Sequence, residues 1–346
     1  MSAADGGRRA RGGAGSDGPP GGPPELTLLD LLPRGPGRSE GEALADTLAL
    51  AARAEGFGYA RFWVAEHQGA RSPALGCPEL LVGSAAARTR RLRVGTAGVL
   101  LRYYSPLKVA ETFRCLEALH PGRIDLGVAR GHADDGLGPP LLDGRPEPAD
   151  AAAYRAKVGQ LLHFLGDPGA RGAGGAPGLA SPAAAAPPGG PGPPPLPALS
   201  VPPTRPEVWL LGAGDQGAAL AAEYGTAFSF ALFLRNDVAR AAGAIAAYRA
   251  GFRPSAALAA PRWSIAVSGV CAPTQGRAGR LLAGAANSLL AARATVVGPP
   301  ARCRATLEAL GRRLGTRRYV FLTLTDDLAS RTESHRLLAR AFGLGG

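Results

Sequence analysis

Apolar runs of four to eight residues recur along the chain, and a helical pattern follows each one. Eight such runs stand out: Leu26–Leu31, Ala60–Val64, Arg93–Leu100, Arg123–Val128, Val208–Leu211, Ala227–Leu232, Ser264–Val270 and Tyr319–Leu324. The intervening helical patterns cover about 40–56, 78–88, 106–119, 150–165, 216–224, 237–250, 276–292 with 301–314, and 329–342. A strand that is apolar throughout is buried on both faces. A helix between consecutive strands lets them lie parallel, so the alternation predicts a parallel sheet covered by helices. Eight units in succession favour a closed (β/α)8 barrel over an open doubly wound sheet.

Two segments interrupt this rhythm. Residues 1–24 are rich in Gly, Ala, Pro, Arg and Ser and read as a disordered tail. Residues from about 167 to 205 include "APPGGPGPPPLP" and cannot supply a core. Because strand–helix units continue on both sides, this segment reads as a surface insertion within one barrel domain spanning 25–346. Much of the excess of Gly (50) and Pro (32) sits in these two segments.

The net charge of +12 comes from 39 basic residues, of which only Lys108 and Lys157 are lysines. The arginines are scattered and accompany no nucleic-acid-binding motif, so the charge does not predict nucleic-acid binding. The four cysteines, Cys77, Cys115, Cys271 and Cys303, are far apart and have no zinc-ligand spacing. They read as reduced thiols. No apolar run reaches membrane-spanning length, and no apolar stretch follows Arg8, Arg9 and Arg11, so the expectation is a cytoplasmic protein with neither membrane span nor signal peptide.

In a (β/α)8 barrel the chemistry belongs at the C-terminal ends of the strands. That criterion selects Asp30; Glu66, His67 and Gln68; Arg102, Tyr103, Tyr104 and Ser105; Arg130, Gly131, His132, Asp134 and Asp135; the "LLGAGDQG" turn; and Thr325, Asp326 and Asp327. Two of the five histidines, His67 and His132, fall in this set. A single histidine is more often a hydrogen-bonded structural residue than a ligand, and no compact motif makes Glu66, His67, His132 and Asp134 a metal site. The turn 212–217 is the best signal for a ligand. A glycine-rich strand-to-helix turn offers backbone N–H groups to a phosphate, although Asp215 could serve there simply as a helix cap. The turn lacks the acidic ribose partner of a dinucleotide fingerprint, and the chain has neither a Walker A motif nor a GxSxG elbow.

Several stretches together resemble the bacterial luciferase-like, flavin-dependent monooxygenases, and among them the actinobacterial members of natural-product pathways. They are "LTLLDLLP" (26–33), "GFGYARFWVAEHQG" (56–69), "RLRVGTAGVLLRYYSPLKVAETFRCLEALHPGRIDLGVARG" (91–131), "PEVWLLGAGDQGAALAAEYG" (206–225) and "VVGPPARCRATLEALGRRLG" (296–315). The resemblance implies a (β/α)8 fold with an insertion and a homodimer. It implies reduced FMN supplied by a separate reductase, and oxygen added at the flavin C4a to give a hydroperoxide that oxidises a small organic substrate. Some relatives use the deazaflavin F420 for hydride transfer, and some are non-catalytic partner subunits.

By the same resemblance His67 is the active-site histidine, acting near C4a as base or hydrogen-bond donor. Ala97 and Gly98 match a non-prolyl cis peptide under the isoalloxazine ring. Arg130, with Gly131, matches the site of the FMN phosphate, and Gly212, Ala213 and Gly214 match the phosphate-binding turn. Glu66, Tyr103, Tyr104 and His132 are candidate substrate walls, and Asp30 is a weaker one. The sequence departs from the pattern at two places. Relatives usually carry hydroxyl residues in the turn, where this chain has Ala213, Gly214 and Gly217, and many have a second histidine where it has Gln68.

Overall fold

In the computed structural model of the chain, the described residues are 22–35, 37–67, 76–131, 151–166 and 204–345. The 1–24 tail and the 167–205 insertion fall almost entirely outside them, as do Gln68, His132, Asp134 and Asp135.

Eight parallel strands close into a barrel. They are β1 (Glu25–Asp30), β2 (Arg61–Val64), β3 (Arg93–Thr96), β5 (Ile124–Ala129), β6 (Glu207–Gly212), β7 (Ala227–Ala231), β8 (Trp263–Cys271) and β10 (Arg318–Thr323), with β10 pairing both β1 and β8. Two short strands lie off this circuit: β4 (Val99–Leu100) pairs β5, and β9 (Val296–Gly298) pairs the end of β8. The helices are α1 (Glu40–Gly56), α2 (Pro78–Ala87), α3 (Pro106–Leu119), α4 (Ala151–Phe164), α5 (Asp215–Tyr224), α6 (Val238–Gly251), α7 (Gln275–Ala283), α8 (Ser288–Ala291), α9 (Pro300–Leu314) and α10 (Leu328–Ala341). One apolar layer lies between sheet and helices. A second fills the barrel itself, where Trp63 and Trp209 meet edge to face at 5.3 Å.

Local signals set the helix boundaries. Ser39 and Glu42 form a reciprocal capping box at the start of α1, Ser105 caps α3 ahead of Pro106, and Asp327 caps α10. Gly225 and Gly315 end α5 and α9 in the left-handed conformation that glycine adopts without steric cost.

All eight predicted strands are present. One of them, predicted as continuous over 93–100, is broken. Val94 lies opposite Ile124 and Val99 opposite Val128, so five steps along β3–β4 match four along β5. The extra residue is a bulge, and a bulge re-aims the chain beside it. The Ala97–Gly98 peptide within it is cis. The backbones approach closely here: a Cβ on Gly98 would sit 2.7 Å from the Gly127 carbonyl, and one on Gly127 would sit 1.9 Å from the Thr96 oxygen. The helix predicted over 276–292 is also divided. α7 ends before Gly284, and Asn287 caps a separate short α8. Neither β4 nor β9 is long enough to announce itself by periodicity.

Candidate active site at the C-terminal mouth

Glu66 and His67 follow the last residue of β2 at the C-terminal mouth. His67 is partly exposed there, whereas Glu66 is buried. The Glu66 carboxylate accepts the backbone N–H of Leu100 at 2.9 Å and the Tyr104 hydroxyl. Leu100 ends β4, and Tyr104 closes the 3-10 turn at 101–103. Tyr103 is buried against the Arg102 guanidinium, 5.3 Å above its ring. The Lys157 ammonium, from α4, donates to the Arg102 carbonyl. Glu66, Tyr103 and Tyr104, expected as substrate walls, are thus brought together around one turn, where Glu66 contacts Tyr104 and Tyr103 contacts Arg102.

Arg130 follows the last residue of β5 and donates to the Gln216 side-chain oxygen at 3.0 Å. Gln216 stands in the first turn of α5, so this contact carries the Arg130 guanidinium to the helix N-terminus. Tyr154 of α4 lies near enough to feel Arg130: burial pushes its phenol pKa up, against the pull of that positive charge. Gly131, at φ +84°, turns the chain away. A Cβ on it would lie 3.3 Å from the Tyr103 ring and 3.5 Å from Leu100 Cδ2, which places Leu100 and Tyr103 beside Gly131, next to Arg130 in the chain.

The 212–217 turn shapes the other wall. Gly214 is the N-cap of α5, in extended conformation, and supplies no capping side chain. Asp215 is therefore the first helical residue rather than the cap. Its carboxylate faces Arg240 of α6 at 3.7 Å. The opening N–H groups of an α-helix lack intrahelical acceptors and carry its positive dipole end. Among the described residues no side chain caps them, Asp215 in the first turn pairs with Arg240 instead, and with Arg130 beside it this terminus has the donor set an anion needs. The residues therefore fit the phosphate of a flavin nucleotide: backbone donors of the turn, Arg130, and space left by Gly212 and Gly214.

Two expectations are corrected. Asp30 does not face the mouth: it is buried, paired with Arg331 at 2.8 Å, and accepts from the Thr47 hydroxyl at 2.8 Å. Its charge is spent within the shell between β1, α1 and α10. Asp215, as above, caps nothing. Residues that sequence reasoning did not single out are Gln216, which lies within the recognised turn, and Arg240, whose place beside that turn has no local signal.

A family model described as luciferase-like monooxygenase matches residues 26–138. YwcH of Bacillus subtilis (strain 168) is 33% identical over 92% of this chain and 98% of its own length. A luciferase-like monooxygenase of Escherichia coli (strain K12) is 32% identical over 71% of this chain and 66% of that protein. The chain belongs to the luciferase-like monooxygenase family. The crystal structure of apo-MsnO8 superposes with a TM-score of 0.78 at 30% identity, covering 93% of this chain and 99% of that one. As a luciferase-like monooxygenase the chain is an oxidoreductase built on a (β/α)8 barrel. No helix among its described residues is long and apolar enough to cross a membrane.

Proposed function

We propose that this luciferase-like monooxygenase binds reduced FMN at the C-terminal mouth and uses dioxygen to oxidise a small organic substrate. The observation that carries the reading is the Arg130–Gln216 contact at the uncapped start of α5, on the same barrel face as His67. A solved relative of the same fold, the oxygenating constituent of 3,6-diketocamphane monooxygenase, is in complex with FMN (TM-score 0.66, 16% identity). An F420-dependent secondary alcohol dehydrogenase shares the fold at 0.62 and 16%, so fold alone does not choose between the two cofactors.

Bound reduced flavin would supply the electrons that activate dioxygen at its C4a position. The chain's residues do the rest. Arg130 and the backbone N–H groups of 214–217 hold the phosphate, and guanidinium geometry suits a phosphate in a bidentate contact. The bulged strand end at Ala97 and Gly98 offers a surface without bulky side chains for the ring. His67 gives or accepts a proton at the ring's reactive edge, a role imidazole fills in either protonation state. By the chain's resemblance to the family, the reduced flavin would be supplied by a separate reductase.

The turn lacks hydroxyls at Ala213, Gly214 and Gly217. A hydrogen bond contributes about 1–1.5 kcal/mol net, so two missing ones weaken binding about tenfold or more. Such weak holding suits a flavin that arrives and leaves as a substrate. The test is anaerobic titration with FMNH2, oxidised FMN and reduced F420, followed by admission of oxygen. The reading expects FMNH2 to bind best and its reoxidation to slow or gain product on the protein. Preference for F420, or binding with no effect on reoxidation, would overturn it.

A further inference from the structure

Strand β4 is held by β5 on one edge only. Val99 and Leu100 pair Val128 and Ala129, while β2, which pairs β3, has already ended at Val64 opposite Thr96. Among the described residues, the edge of β4 that faces β2 therefore has no strand partner. Glu66, two residues past the end of β2 and 4% exposed, fills that place: one carboxylate oxygen accepts the Leu100 N–H and the other accepts the Tyr104 hydroxyl. A side chain here does what the backbone of β2 no longer does. The segment it ties down is the one that backs Gly131, next to Arg130.

We propose that Glu66 is a positioning residue for the flavin site, linking the strand end that carries His67 to the 100–104 segment that supports Arg130, rather than a substrate contact. The inference rests on the FMN reading above and assigns no proton transfer to Glu66. A carboxylate suits the task because it accepts from two donors at once. Gln keeps an acceptor for Leu100 and can donate to the Tyr104 oxygen instead. Ala leaves the Leu100 N–H without an acceptor and loosens the segment, and local loosening shows as faster amide exchange.

The experiment measures FMN affinity and amide exchange of the 99–104 segment in the wild-type chain and in Glu66→Gln, Glu66→Ala and Tyr104→Phe. Glu66→Gln should stay within about threefold of wild type in both readouts, and Glu66→Ala should bind FMN at least about tenfold more weakly with faster exchange at 99–104. Tyr104→Phe should weaken binding about threefold, and it carries the test should Glu66→Ala fail to fold. Wild-type affinity and exchange in Glu66→Ala, or in Tyr104→Phe, would overturn the inference. Damage in Glu66→Gln equal to that in Glu66→Ala would also overturn it, because charge and not hydrogen-bond acceptance would then matter. No FMN binding by the wild type sinks the cofactor reading, while the exchange measurement still decides whether Glu66 ties down β4.

Discussion

The two ends of the barrel use charge in opposite ways. At the N-terminal end, Glu25, Arg61, Arg93, Glu207 and Arg318 are each the first residue of a strand, and Asp125 is the second residue of β5. Asp125 is fully buried and accepts from Arg61 at 2.8 Å, from Arg93 at 2.6 and 2.8 Å, and from the Trp63 indole at 2.9 Å. Arg61 also reaches Glu25 and Glu207, Arg262 reaches Glu207, and Arg318 reaches Glu25. These charges pair with one another. At the C-terminal end, α5 begins without a side-chain cap, flanked by Arg130 on Gln216 and Arg240 on Asp215. One end is an ionic plug. The other, on the proposed reading, keeps its polar groups for binding, as barrels generally divide the two tasks. Arg61 shows how far the plug goes. Burial works against its charge, yet Asp125, Glu207 and Glu25 outweigh that penalty and raise its pKa.

If this division is right, the ends should respond independently. The largest effect belongs to Asp125→Ala, which leaves two guanidinium groups and an indole N–H without their shared acceptor. Breaking a buried pair of this kind costs about 3–5 kcal/mol, read as a lower urea midpoint. FMN affinity of the folded fraction should stay unchanged. Arg130→Ala should do the reverse. It should weaken FMN roughly tenfold to a hundredfold, from about 1.5–3 kcal/mol for a charged hydrogen bond, with stability altered by less than about 0.5 kcal/mol.

Acid should attack the plug and the shell before the mouth. Burial alone would raise the Glu207 carboxyl, but Arg61, Arg262 and Arg93 hold it below the ordinary value. A depressed carboxylate stabilises the fold above its unfolded pKa and loses that contribution as pH falls through the folded value. His335, fully buried and hydrogen-bonded to Tyr59, is pushed down to about 3 by burial and by Arg331. Its unfolded form takes up a proton first, so its contribution is present above about 6.5 and is lost as pH falls from there toward about 3. Urea titrations should show stability declining below pH 6.5 with a slope of up to about 1.4 kcal/mol per unit. His335→Gln should remove the decline between about 6.5 and 4.5 and leave the steeper loss below it. The smallest effect is Gly214→Ser. A Cβ there meets only the Arg240 guanidinium, at 3.3 Å, and φ is an ordinary extended −164°. The added hydroxyl should tighten FMN about fivefold, or about 1 kcal/mol.

The sequence made the mouth more legible than the plug, for a physical reason. A strand followed by "AEH" and a turn reading "GAGDQG" are local patterns, and both fall at the mouth. Arg61, Arg93, Asp125 and Glu207 look, one at a time, like solvated strand starts. Only closure of the barrel brings them into one ring, and closure is a long-range property. Asp30 was misplaced for the same reason, since its partner Arg331 lies three hundred residues away in the chain. The break between β3 and β4 was hidden because a run of apolar residues does not reveal one extra residue in the pairing. Arg240 could not be found without knowing that α6 packs beside α5.

The central claim is that the Arg130 side of the mouth recognises the phosphate of a flavin nucleotide. The most direct test compares binding of FMN and riboflavin, which differ only in that phosphate, by the wild-type chain and by Arg130→Ala. The account predicts that wild type prefers FMN at least about tenfold, and that Arg130→Ala removes most of the preference while leaving riboflavin affinity unchanged. Equal affinity of the wild type for FMN and riboflavin, or a preference that survives the loss of Arg130, would contradict it.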